Sequence, residues 1–429
     1  MALQAETTEA RKAIIAGAAG NAMEWFDYTI YPILATVIAS QFFPSEDPLA
    51  SLLATFAVFA IAFFTRPIGG VVFGHFGDKI GRRNTLVASI SFMALSTFLM
   101  GILPTYQQIG ILAPILLVIA RMLQGLSAGG EWAGSASFMV EYAPESRRGL
   151  FGGWQQCSII GGILLGSGMG TLLTFSLSED ALNSWGWRVP FLFGIVLGAI
   201  GLYIRVGLQD TPAFRALENN EQTASAPILE TLRRYYKDIL VAIAFILVGA
   251  PIYYILLTYL PAYVTQTLGL PLSLALLSNS IGLLLLMILI PMVGLISDRT
   301  GRRPLMIASC VGLVVLTYPL FLLIAQGSFL SVLLAQLAFA VVVSLYIGPV
   351  AAAIVEMFPT RVRYSSLGIS YNISVAVFGG TAPFIATFLI SWTGNDLAPA
   401  LYLIAAAVVT LIAILMMKET YRGPLRHDH

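Results

Sequence analysis

Charge is scarce in this chain: only 10% of its 429 residues are Asp, Glu, Lys or Arg, against about 25% in an average soluble domain. That excludes a soluble enzyme of ordinary composition. Cysteine occurs twice, at Cys157 and Cys310, each inside an apolar stretch, so neither a disulfide framework nor a thiolate metal site is indicated. Of three histidines, His427 and His429 close the chain and His75 lies in a glycine-rich loop, which gives a His-centred catalytic triad little support. No Gly-Lys dipeptide occurs, so a Walker-type phosphate loop is absent. The formal net charge is +1, and the cations form short clusters with no basic face able to track a phosphate backbone. Nucleic acid is not an expected partner, and no metal or cofactor is expected.

Apolar residues are abundant, at 58%. They gather into segments near 13–42, 50–73, 84–103, 111–140, 150–175 and 188–206, then near 239–263, 272–296, 304–325, 330–354, 366–392 and 399–417. Each suffices for the roughly 20 residues that span a bilayer as a helix, and is about twice a barrel strand. The first follows Arg11 and Lys12 and runs too long for a signal-peptide core, so it reads as a retained helix. The expected architecture is all-α: twelve transmembrane helices in two six-helix bundles, at 13–206 and 239–417. A tail at 1–12, a polar linker at 207–238 and a second tail at 418–429 complete the chain.

All Lys and Arg except Arg66, Arg121 and Arg188 fall in the tails and in one set of alternate loops. The positive-inside rule makes that side cytoplasmic, with both termini on it. The sequence also repeats: GHFGDKIGRRN from Gly74 recurs as GLISDRTGRRP from Gly294, with Asp78 matching Asp298 and Arg82 matching Arg302. A weaker copy pairs Glu141, Pro144 and Arg147 with Glu356, Pro359 and Arg361 or Arg363. Parallel repeats of this kind suit a transporter that rocks one half against the other. An aspartate at a helix end beside arginines can lock two helices through charged hydrogen bonds, and the lock must break when a gate opens. Asp78, Arg82, Asp298, Arg302, Glu141, Arg147, Glu356 and Arg361 are therefore expected to gate, with Glu131 near the same face.

The two repeated loops and RMLQGLSAGG from Arg121 resemble the signatures of the major facilitator superfamily. Within it, GNAMEWFDY, GGEWAGSASFMVEYAPESRRG, WGWRVPF, YYILLTYLPAYV and MFPTRVRYSS are similar to the metabolite:proton symporter family, nearest the bacterial proline and glycine betaine transporters. The resemblance covers about residues 12–421. It implies a secondary transporter, not an enzyme, which imports a small zwitterionic solute of the proline/betaine type with protons. It would work as a monomer in a bacterial inner membrane. Related carriers of 2-oxoglutarate, citrate or shikimate share much of the pattern, so an organic acid is the alternative cargo, and a receptor without transport a remoter one. The osmosensory relatives carry a long coiled-coil tail, and this sequence ends at His429, which puts tail-based osmotic regulation in doubt.

An ionisable side chain within a span costs at least a few kcal/mol and is a functional candidate by default. Glu24, Asp27, Arg66, Arg121 and Glu131 form that set. A rise of 1.5 Å per residue puts Glu24 and Asp27 about 15 and 20 Å from the cytoplasmic face and Arg121 about 16 Å from it, one common layer. The same arithmetic puts Arg66 and Glu131 near the cytoplasmic ends of their helices. Arginine stays protonated and needs an anionic partner, whereas a desolvated carboxylate without a cation holds a proton. The expectation is that Arg121 anchors a substrate carboxylate while Asp27, or alternatively Glu24, carries the proton; the competing reading is a static ion pair. Trp25, Tyr28, Tyr31, Tyr253, Tyr254 and Tyr371 supply faces for a quaternary ammonium, with Asn372 a polar neighbour, although aromatics also serve packing and interfaces.

Overall fold

The computed structural model describes residues 2–423 except positions 81, 130, 142, 207–232, 359 and 422. The side chains at 2–17, 71–86, 138, 204–206, 360–362 and 364 lie outside the described set as well. Asp78, Arg82 and Arg361 therefore fall outside it, as do the linker core and the extreme termini.

The protein is all-helical and has the two-bundle architecture. Nine helices among the described residues are long and apolar enough to cross a membrane, and the pair Glu179–Gly186 and Arg188–Tyr203, bent by 46°, makes a tenth. The first helix and Val87–Ile102 complete twelve segments. The helices that position the site in the first half are α1 (Ala2–Ile33), α2 (Pro48–Ile80), α3 (Arg82–Ile102), α4 (Leu112–Ser127), α5 (Glu131–Glu141), α6 (Arg148–Ser176) and α7 (Arg188–Val206). In the second half they are α8 (Tyr236–Leu247), α9 (Leu260–Leu268), α10 (Leu272–Thr300), α11 (Arg302–Ile324), α12 (Phe329–Met357) and α13 (Thr360–Ser374).

Among the departures from the uniform spans expected from hydropathy, three lie at the centre. The segment near 111–140 is two helices, broken at Ala128–Gly129 between α4 and α5. The segment joining α8 to α9 contains a π-helical stretch, Ile252–Tyr259, and α13 runs into another, Val375–Gly379. Hydropathy registers apolar length and is blind to backbone hydrogen-bond register, so such breaks escape it. Local π turns and breaks concentrate at functional positions, and all three of these line the centre.

Close helix approach sets the helices that carry Arg66 and Arg121 side by side. A Cβ on Gly125 of α4 would stand 1.9 Å from the Ala62 carbonyl oxygen of α2. Only glycine permits that contact, and it sets α4 against α2 one turn beyond Arg121. Gly125→Val is expected to lower the yield of folded protein several-fold and abolish transport, since overpacking a fitted interface costs about 1–3 kcal/mol even without a backbone clash. Size-exclusion profiles in detergent with uptake per folded molecule will measure it. Between the halves, α6 packs along α10, where a Cβ on Gly294 would lie 2.4 Å from the Gly149 carbonyl oxygen.

Candidate functional site

Glu24 and Arg66 are both fully buried, and Arg66 Nη2 donates to Glu24 Oε1 at 2.8 Å. The same nitrogen donates to the Ala128 carbonyl at 3.1 Å, at the break after α4. Depth counting placed Arg66 away from Glu24, near the helix end. The structure brings them together because a helical side chain slants toward its own N-terminus, which carries the long guanidinium of Arg66 back along α2. Pro67 follows directly and interrupts the α2 hydrogen-bond ladder.

Arg121 is equally buried and has a different surrounding. It donates to Gln124 Oε1 and to the Phe59 carbonyl at 3.2 Å. Its guanidinium carbon lies 4.6 Å from the Tyr31 ring centroid, 4.9 Å from Phe59 and 5.8 Å from Tyr28. Among the described residues Arg121 makes no ion pair, so the direct sharing with Asp27 or Glu24 expected from depth is not present. The link to Asp27 runs through Gln124, whose Nε2 donates to Thr97 Oγ1 at 3.1 Å and to the Asp27 backbone carbonyl at 3.4 Å. Asp27 itself is turned toward α3 and α7, lining a small cavity with Met23, Met93 and Gly194. Gln124 was not singled out from the sequence; its position one turn after Arg121, at i+3, was the available signal.

Aromatic rings wall the Glu24–Arg66 pair. Tyr28 packs on Phe63 at 5.1 Å between centroids, Phe63 on Tyr254 at 5.0 Å, and Trp25 on Tyr253 and Tyr254 at 5.0 and 5.8 Å. The Arg66 guanidinium carbon is 5.2 Å from the Tyr28 centroid and 5.9 Å from that of Tyr371. Tyr31 belongs to the Arg121 side, stacked on Phe59, and its hydroxyl donates to the Thr55 carbonyl at 3.1 Å. Tyr253 Oη donates to Gln156 Oε1 at 2.5 Å, joining the π stretch of one half to α6 of the other. Buried polar atoms cluster here: Trp25 Nε1, Tyr28 Oη, Tyr254 Oη, Arg66 Nε and Asn372 Oδ1 find no hydrogen-bond partner among the described residues. Such atoms are costly to leave unmatched and are commonly explained by a ligand or an ordered water.

Beyond this layer, at the arginine-rich end, charged contacts tie the halves. The Asp298 carboxylate accepts from the Gly149 and Leu150 amides at 2.7 and 2.9 Å, capping the first turn of α6, and from Arg302 Nη1 at 2.8 Å. Arg302 also pairs with Glu356 at 3.2 Å. Glu141 of α5 pairs with Arg363 of α13 at 2.7 Å. Thr420 Oγ1 donates to Glu356 Oε2, and Arg148 Nη1 donates to the Gly423 carbonyl, which draws the segment after the last helix into the network. Arg148 is buried where its neighbour Arg147 is exposed; the sequence does not distinguish two adjacent arginines at a helix start. Glu131, at the head of α5, receives Ser89 Oγ at 3.3 Å. Toward the opposite end, Asn279 Nδ2 of α10 donates both to Ser167 Oγ of α6 and to the Leu257 carbonyl in the π stretch, each at 3.1 Å.

A sequence profile described as Major Facilitator Superfamily matches residues 17–380 and 280–428. The chain belongs to the major facilitator superfamily. The glycine betaine/proline/ectoine/pipecolic acid transporter OusA of Dickeya dadantii is 40% identical over 428 residues, spanning 97% of this chain and 85% of that protein. The proline/betaine transporter of Escherichia coli (strain K12) matches with the same identity and coverage. Among solved structures, the proton:xylose symporter XylE bound to 6-bromo-6-deoxy-D-glucose superposes with a TM-score of 0.80 over 98% of each chain at 18% identity, which shows the fold. This facilitator is thus a multi-span membrane transporter rather than an enzyme, and its central layer is where its two six-helix halves meet.

Proposed function

We propose that the protein imports small zwitterions of the proline/betaine type together with protons, by alternating access, with its arginine-rich end and both termini cytoplasmic. One observation carries the reading: a buried guanidinium–carboxylate pair, Arg66 with Glu24, enclosed by aromatic faces. A zwitterion complements that pair charge for charge. Its carboxylate takes Arg66, and its ammonium lies against the rings of Trp25, Tyr28 and Tyr254 near Glu24. When Arg66 turns to the ligand, its contact with Glu24 weakens and Glu24 takes up a proton more readily, so substrate and proton favour each other's occupancy. Asp27 is a second proton site, communicating with Arg121 through Gln124 and Thr97. Inward movement of a zwitterion with one proton carries one positive charge, worth about 2.3 kcal/mol per 100 mV. The names of the related transporters, which include proline, glycine betaine and ectoine, support this cargo class.

A second reading has its own support. Arg66 and Arg121 both reach the Tyr28 ring, at 5.2 and 5.8 Å, so two cations flank one side chain, and a dicarboxylate would need two cations. A thermal-shift panel of L-proline, glycine betaine, ectoine, 2-oxoglutarate, citrate and shikimate separates the two, because a ligand bound only by the folded state raises its stability. The zwitterions are expected to stabilise, and proton-gradient-dependent uptake of the same compounds to follow. Stabilisation by the di- and tricarboxylates alone would replace this reading with the second. Removing one aromatic face, in Tyr254→Leu, is expected to weaken glycine betaine about 2- to 30-fold and proline less, given about 0.5–2 kcal/mol for a cation over a ring.

A further inference from the structure

We propose that Asn372 is the ligand-released latch of the cytoplasmic gate rather than a substrate ligand. The carbonyls at the end of a helix have no partners within it, and the break after α4 leaves those of Ala128 and Gly129. Two side chains fill them. Arg66 Nη2 takes Ala128 at 3.1 Å, and Asn372 Nδ2, from the other half of the molecule, takes Gly129 at 2.7 Å. Neighbouring peptides at one break thus hold the cation of the central site and the opposite half.

The break is pressed against α2. A Cβ on Gly129 would stand 2.3 Å from the Gly70 amide nitrogen and 2.6 Å from the Arg66 carbonyl oxygen. Its position is therefore referred to the backbone of Arg66 itself. Just beyond it, Trp132 of α5 stacks face to face on Tyr371, with centroids 4.0 Å apart and planes 2° from parallel. Tyr371 directly precedes Asn372, so two consecutive residues of α13 grip the break and the helix that follows it. Further along the same two helices, Glu141 pairs with Arg363. Trp132 to Glu141 and Tyr371 to Arg363 each span about 12–14 Å along a helix, so α5 and α13 run antiparallel and are fastened at two levels. The deep level sits directly beneath the Arg66–Glu24 pair, and the outer level is ionic.

This assignment rests on the reading of Arg66 as the group that meets the ligand's carboxylate. Drawing the guanidinium toward a ligand takes the donor from Ala128, loosens the neighbouring Gly129 peptide and lets Asn372 go. Ligand occupancy at the centre then opens the deep level of the gate, and the ionic level follows.

Hydrogen exchange of the full-length protein in detergent tests it, with and without saturating L-proline or glycine betaine. Ligand-free Asn372→Leu is expected to exchange about tenfold faster than wild type in 131–141 and 365–374, with 302–324 unchanged as the control for global loosening. Trp132→Leu should do the same, and ligand should produce that rise in wild type but little more in Asn372→Leu. Unchanged exchange in ligand-free Asn372→Leu together with weakened ligand binding would return Asn372 to the substrate site and overturn the latch. A rise in the variant that ligand never produces in wild type overturns the release through Arg66. If no compound in the panel binds, the cargo reading has failed, and the ligand-free comparison still decides whether Asn372 holds the gate.

Discussion

Arg66→Gln is expected to reduce uptake by at least about a hundredfold and to lower thermal stability at the same time. Removing one member of a buried ion pair costs about 3–5 kcal/mol, and here the member that remains is Glu24, fully enclosed by the bundle. The Ala128 carbonyl loses its donor in the same step. Two effects are superimposed, and a second substitution separates them. In Arg66→Gln/Glu24→Gln the buried charge is gone, so thermal stability should recover most of the loss. Uptake should not recover, because neither the cation that meets the carboxylate nor the acid paired with it remains. Uptake by Arg66→Gln within a few-fold of wild type, measured per folded molecule in proteoliposomes, would sink the assignment of Arg66 to the ligand. Arg121 would then inherit the role.

For the gate, the largest effect is expected from Asp298→Asn. The carboxylate holds two main-chain amides at the start of α6 and one guanidinium nitrogen. An anion at a helix N-terminus also gains from the helix dipole, and charge-assisted bonds are about twice as strong as neutral ones. The amide of asparagine keeps one acceptor oxygen and loses the other together with the charge. With hydrogen bonds to charged groups worth about 1.5–3 kcal/mol, the closed gate should lose about 2–3 kcal/mol, roughly a 30- to 150-fold shift toward the state open at the arginine-rich end. The readout is labelling of a cysteine introduced near Gly149, whose rate should rise in step with that shift, while net uptake falls because the closed state no longer recurs. Unchanged labelling would show that the contact follows closure without stabilising it. Arg302 keeps Glu356 in this variant, so a collapse of the whole network is not expected.

Hydropathy alone gave the twelve segments, because a backbone in hydrocarbon must satisfy itself within its own helix and a helix that crosses takes about 20 apolar residues. The repeated loop marked Asp298 and Arg302 as partners for the same reason it repeats: one half's solution to an exposed helix end serves the other. Glu24 also stood out, since a carboxylate in the middle of a span has few innocent explanations. Which of the candidate cations it meets did not. Depth along an axis locates a Cα, whereas an ion pair is made by atoms several ångströms away at the end of a flexible side chain, on helices that bend and tilt. Arg66 and Arg121 are separated by that distinction. Gln124, Trp132 and Arg148 escaped notice because an amide, an indole or the second of two arginines reads the same in sequence whether it packs, anchors or gates.

The sequence by itself determined the membrane-spanning character, the helical class, the twofold repeat and the buried charges that any function must use. These follow from transfer free energies, which are properties of single residues and short windows. Tertiary structure decided which cation meets which acid, where α4 breaks, and which carbonyls the break offers to the other half. Those are properties of pairs brought together from distant parts of the chain, and the energy of a charge or a hydrogen bond in a low-dielectric interior depends on its neighbour's position to within an ångström.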